Sequence, residues 1–174
     1  MTGGQFAFTG SALALQKTFI ESGESFYVGL LRKRGEPTDE INDETTMSDI
    51  DGEGDDKIFE EIDANYSRIE VTSWNGPEAA EEPEEGYEGN KPAQITNAEA
   101  IEFGPWDTGH MDDEGEPIPD TLENPDEIVG VFLTDSVSGY TGNFLAYYNL
   151  MMGRQVKEGE TLRIPVNQLI FQIK

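Results

Sequence analysis

The 174-residue chain has no cysteine, one histidine, 11 basic residues and no long apolar run. Each shortage removes a class of protein. Without cysteine there is no disulfide framework, no thiolate metal site and no cysteine nucleophile. No segment approaches the ~20 consecutive apolar residues of a membrane-spanning helix, and no basic stretch leads into an apolar one at the start. The expectation is a soluble protein without membrane anchor or secretory leader. The few lysines and arginines are scattered, whereas phosphate contacts need clusters, so a nucleic-acid-binding face is not expected. An imidazole-centred catalytic site has one candidate, His110. It lies within Gly109-His110-Met111-Asp112-Asp113, an acidic run, and reads as an exposed loop histidine. No glycine-rich loop precedes a helix, so phosphate cradling is not indicated either.

What the chain has in excess is acid: 36 Asp and Glu set its formal charge at −25. The excess is confined to the middle. Residues 1–32 carry Lys17 and Arg32 against Glu21 and Glu24, and residues 128–174 carry four basic against three acidic side chains. Almost neutral ends therefore flank a middle rich in carboxylates. Three stretches, about 36–63, 78–88 and 107–127, mix acid with Gly, Pro, Asn or Ser and lack apolar periodicity, which predicts surface loop insertions. Carboxylate pairs for glycoside hydrolysis exist in any such loop, and for that reason they single out nothing.

Between the acidic stretches run short segments rich in aromatic and β-branched residues. Phe26 to Leu31 is apolar on both faces, as a central strand is, while Ser67 to Thr72 alternates as a half-solvated strand does. Ile101 to Phe103, Ile128 to Thr134, Asn143 to Leu150, Leu162 to Val166 and Leu169 to Ile173 follow, with turns at Ser138 to Gly142 and Glu158-Gly159. One helix is predicted, capped by Thr9 or Ser11, carrying Leu13, Leu15, Phe19 and Ile20, and ending before Gly23. About seven strands and one helix read as a mainly β fold, an antiparallel β-sandwich with one short N-terminal helix and long acidic loop insertions. At this length folding buries roughly 70% of the unfolded surface, so one domain over residues 1–174 is expected.

Two local patterns bear on function. Asp49, Asp51, Glu53, Gly54 and Glu60 stand at positions 1, 3, 5, 6 and 12 of an EF-hand-like calcium loop, with Asp55 as a further carboxylate. The same residues also read as a solvated charge run, because Asp56 stands where an aliphatic contact is wanted and the incoming helix is poor. The second pattern is aromatic: Tyr140, Phe144, Tyr147 and Tyr148 lie close together near the C-terminal hairpin. On a strand apolar on both faces, one face packs on the core and the other is available to a partner or to the helix.

Taken in order, the neutral segments resemble a family of small bacteriophage virion proteins labelled tail-fibre or head-fibre proteins. Phe26-Tyr27-Val28-Gly29-Leu30 resembles that family's first strand, and Glu61-Ile62 to Tyr66-Ser67-Arg68 its next segment. Thr96-Asn97-Ala98-Glu99-Ala100-Ile101-Glu102-Phe103-Gly104-Pro105 with Trp106-Asp107-Thr108 resembles its central piece. Val129-Gly130-Val131-Phe132, Asn143-Phe144-Leu145-Ala146-Tyr147 and Val156 to Pro165 resemble its C-terminal part, and Leu169 to Ile173 its closing strand. The chain departs by its acidic insertions, by Pro165-Val166-Asn167-Gln168 and by having no glycine pair before Tyr66. The resemblance implies a non-enzymatic virion structural protein with no catalytic residues and no cofactor. Such a subunit repeats in the tail or fibre apparatus or decorates the capsid, after assembly in the host cytoplasm. Its partners are other virion proteins and copies of itself, with a trimer by analogy, and neither nucleic acid nor membrane. The readings kept beside it are a calcium-binding interaction module, an acidic nucleic-acid mimic and a fibre-borne glycan hydrolase.

Overall fold

The computed structural model describes residues 8–35, 41–52, 57–79, 93–107 and 127–173. Helix α1 (Phe8–Leu15) runs into a π-helical turn, Gln16–Ile20, and is followed by β1 (Phe26–Arg34) and a 3-10 turn, Met47–Ile50. Then come β2 (Lys57–Glu60), β3 (Ile69–Val71), β4 (Trp74–Ala79), β5 (Ala93–Asn97), β6 (Ile101–Phe103) and β7 (Glu127–Thr134). The chain closes with β8 (Phe144–Arg154), β9 (Leu162–Ile164) and β10 (Ile170–Ile173). The class is the expected one: mainly β, antiparallel, sandwich-like, with one short N-terminal helix. None of the described helices is long and apolar enough to cross a membrane.

The chain divides into two compact units interleaved in sequence. One takes the segments up to Glu24, from Val71 to Ile101 and from Ile164 onward; the other takes Ser25–Glu70 and Glu102–Arg163.

In the larger unit a sheet runs in the order β2-β1-β7-β8, with β3 also paired to β1. Strand β1 is central because its apolar side chains occupy both faces: Val28, Leu30 and Leu31 are all fully buried. Gly29 serves packing of another kind. A Cβ there would overlap the Phe132 ring and lie 2.8 Å from the Tyr66 hydroxyl, so only glycine lets both lie against β1. Leu31, Met47, Ile50 and Phe132 form one core cluster of this sheet, with Ile41, Ile58, Val129, Tyr140 and Phe144 packed around them. Each such buried side chain contributes roughly 1.5–3 kcal/mol relative to exposure.

In the smaller unit the order is β10-β5-β4. Strand β5 is buried along its whole length. One of its faces, Ala93 and Ile95, meets Leu15 of α1, and Ala12, Phe19, Trp74, Phe171 and Ile173 close the cluster. Phe19 stands edge-on to Trp74 at 5.6 Å between centroids and is stacked on Phe171 at 6.4 Å. The π-helical turn that continues the helix is thus held to the sheet by aromatic packing. Helix α1 begins at Phe8, so Thr9 and the buried Ser11 lie inside it and not at its N-cap. At the outer strand β4, a register shift between Asn75 and Glu78 accommodates Gly76-Pro77, in keeping with proline's confinement to edges and bulges.

The stretch 36–63 is more than the surface excursion its composition predicts. It supplies the 3-10 turn and β2, and Met47, Ile50 and Phe59 are buried among acidic neighbours. Thr46 and Asp49 form a capping box at the turn, which gives the carboxylate a local structural task. Strands β4 and β5 likewise lie outside the seven expected segments.

Candidate assembly interface

The site is built around the loop that feeds β8, residues 135–143. Arg68 pins that loop. Its Nη1 donates to the Ser136 carbonyl at 2.9 Å and its Nη2 to the Gly139 carbonyl at 2.8 Å. The same guanidinium grips Glu60 in a fork, Nε to Oε1 at 2.7 Å and Nη2 to Oε2 at 2.6 Å. Both partners are buried, and such paired charges demand their hydrogen bonds because neither can turn to water. The Arg68 guanidinium also lies over the rings of Phe132 and Tyr140, 5.5 and 5.8 Å from their centroids. Burial would lower its pKa, but the Glu60 hydrogen bonds and charge outweigh burial and hold it above the ordinary value. Tyr66 donates to Glu60 at 2.9 Å and accepts from the Leu30 amide at 3.0 Å. Burial first, and the Glu60 charge second, push the Tyr66 phenol well up. At the mouth of the loop Asp135 accepts from the Asn143 backbone (2.8 Å) and side chain (2.5 Å). Those bonds hold its carboxyl below the usual range.

From this anchor β8 runs eleven residues along the sheet edge, and no described strand pairs with its outer side. Between Phe144 and Gly153 it carries no charged residue at all. Its exposure is unusual for such a composition: Leu145 42%, Tyr147 38%, Tyr148 46%, Met151 99% and Met152 83%. The pairing with β7 explains the methionines. Ile128 pairs with Arg154 and Gly130 with Asn149, so two steps of β7 face five of β8, and the excess bulges outward at Leu150 to Gly153. A second shift falls beside Leu145, between the pairs Leu133–Ala146 and Thr134–Phe144. Bulges break the even row of hydrogen-bonding groups that invites indiscriminate strand addition. An edge built this way offers side chains and withholds backbone.

The four aromatics read from the sequence separate into two pairs. Phe144 is half-buried, stacked on Phe132 at 5.6 Å, and Tyr140 packs on the same core beneath Arg68. Tyr147 and Tyr148 are exposed and, as neighbours in a strand, point to opposite faces. Tyr147 continues the aromatic row, 6.3 Å from Phe144. Pattern reading missed Met151 and Met152; the signal was present as an acid-free apolar run ending in Met-Met-Gly within a chain of −25.

Of the calcium candidates, Asp49 accepts from the Thr46 backbone and hydroxyl, both at 2.7 Å, and Asp51 is exposed. The Thr46 hydroxyl and backbone hold the Asp49 carboxyl below its ordinary pKa. Glu60 has both oxygens engaged by Arg68, so a cation would have to displace a buried guanidinium to reach it. Glu53, Asp55 and His110, with most of the stretches 78–88 and 107–127, lie outside the described residues. Among the described residues no three acidic or histidine side chains converge on one point.

Compared with protein-family models, with curated proteins and with solved structures, the chain matches none.

Proposed function

We propose that the protein is a non-enzymatic structural subunit of a bacteriophage virion, repeated in the tail or fibre apparatus or as a capsid-decorating protein. It assembles with copies of itself and other virion proteins through β8. The observation that carries the assembly reading is the exposed, acid-free outer strand in a chain otherwise dominated by carboxylates. Tyrosine and methionine are the side chains interfaces favour, the first rigid and amphipathic, the second able to fill irregular gaps. The anchoring of the 135–143 loop by Arg68 supports it too, since a preorganised surface loses less entropy on association. The ordered resemblance of the neutral segments to small tail-fibre and head-fibre proteins supports the virion assignment.

Light scattering coupled to size exclusion tests the assembly reading. The wild type is expected as a homo-oligomer, and Tyr148→Lys/Met151→Lys as a folded monomer with stability within about 0.5 kcal/mol, because both positions face water in the isolated chain. A wild type that stays monomeric at every concentration would remove the self-association. In a particle reconstruction the virion reading expects β8 inside subunit contacts. Interfaces made by residues 36–63 and 107–127, with β8 left in solvent, would contradict it.

A further inference from the structure

The second face of the small sheet β10-β5-β4 is polar and concave. A cleft of about 770 Å³ is lined by Asn75, Glu78, Gln94, Thr96, Asn167 and Gln172, with Ala79 and Ile170 beside them. Its floor is formed by Gln94 and Thr96, which are only 9% and 4% exposed although both are polar. Their burial is supported by a built network. Gln172 Nε2 donates to Gln94 Oε1 at 3.1 Å, and Gln94 Nε2 donates to Glu78 Oε1 at 3.3 Å, a ladder crossing all three strands. In the next row Asn75 Nδ2 (2.8 Å) and the Thr96 hydroxyl (2.9 Å) both donate to Asn167 Oδ1. Asn167 is also the one described non-glycine residue in the left-handed region, φ 63°. It takes the third position of the turn closed by the Gln168 amide on the Pro165 carbonyl at 3.2 Å, a place that favours asparagine, and the turn thereby sets its side chain beside β5.

We infer that this cleft is a binding site for a neutral saccharide. After the network is satisfied, Asn167 Nδ2, Gln172 Oε1 and Glu78 Oε2 keep hydrogen-bonding capacity without a partner among the described residues. Donor and acceptor valences alternate across a short span, and sugar hydroxyls, which both donate and accept, meet them at either end. Charge narrows the class. Among the described residues no lysine or arginine lines the cleft and Glu78 is its one carboxylate, which disfavours phosphate, sulfate and acidic sugars. An extended peptide would engage the open backbone of an edge strand, whereas this cleft lies on the sheet face and offers separated side-chain amides. The inference rests on the three-stranded sheet alone and is independent of assembly through β8.

Side-chain amide resonances of the full chain test it, with maltotriose, cellotriose, laminaritriose and chitotriose as probes, a galacturonic acid trimer as charged control and tetraglycine as peptide control. At least one neutral trisaccharide is expected to shift the Asn75, Gln94, Asn167 and Gln172 amides saturably, with dissociation constants of about millimolar, and to be recovered uncleaved. Asn167→Gly keeps the left-handed backbone but removes the bonded amide; Gln172→Ala alters an exposed position and guards against misfolding of the first variant. Each is expected to weaken binding about tenfold with the remaining spectrum intact. No response to any neutral trisaccharide, equal binding of the charged trimer, or a response confined to tetraglycine would overturn the inference.

Discussion

Replacing Glu60 by glutamine leaves the Arg68 guanidinium buried without its counter-charge, a situation that costs about 3 kcal/mol or more. Because both carboxylate oxygens serve that pair, the loss is expected to be the same with and without calcium, read as equal shifts of urea midpoint in the two conditions. A drop in stability seen only when calcium is present would instead identify the run from Asp49 to Glu60 as a metal site, since a ligand stabilises the state it binds. Tyr66 gives a second test. Tyr66→Phe strands the Leu30 amide and removes a donor to Glu60, at a cost of about 1–3 kcal/mol near neutral pH. Burial and the Glu60 charge raise the folded-state phenol, so the native protein holds that proton more tightly than the unfolded chain does. The associated stability is complete below the ordinary tyrosine value of about 10 and is lost as pH rises from there toward the folded value. Wild type and Tyr66→Phe should therefore draw together in denaturation midpoint as pH rises above about 10. Parallel curves over that range would show that the phenol is not the titrating group.

At the scale of elements, β1 is the strand against which the larger sheet is organised, pairing with β2, β3 and β7. Its glycine is the tightest point. Gly29→Ala pushes a methyl group into the Phe132 ring, which is stacked on Phe144 at the start of β8 and cannot yield without disturbing that strand. Overpacking of this kind costs about 1–3 kcal/mol. The expected result is a lower thermal midpoint together with changed tyrosine fluorescence from β8. A variant as stable as the wild type would mean that the Phe132 ring has room to move. The bulges of β8 act at the same scale, since they expose Met151 and Met152 while spoiling the regular backbone edge.

At the scale of the molecule, the charge of −25 works against any association that brings copies together. The apolar contact proposed for β8 is not screened by salt, but the repulsion among carboxylate-rich segments is, with a Debye length of about 10 Å at 0.1 M. Sedimentation should accordingly show the oligomeric fraction rising as ionic strength increases to about 0.5 M. Dissociation by salt would point to a contact made by charges, contrary to the proposed interface on an acid-free strand.

Composition and periodicity alone determined that the chain is mainly β, that one helix stands near its N-terminus, and where β1, β7, β8 and β10 run. Those features depend on local alternation of apolar and polar side chains, which the sequence displays directly. Strands β2 and β5 escaped that reading because Lys57-Ile58-Phe59-Glu60 sits in an acidic run and Ala93-Gln94-Ile95-Thr96-Asn97 mixes amides with apolar residues. Their burial depends on partners distant in sequence: Glu60 on Arg68, and Gln94 on Glu78 and Gln172. The aromatic cluster was legible as a group, but its division into buried Phe144 and Tyr140 and exposed Tyr147 and Tyr148 was not. Strand order puts β8 at the edge, and register with β7 forces the methionines outward. Both are non-local choices, settled only when strands far apart in the chain pair, and a shift of one residue reverses which side chains meet water.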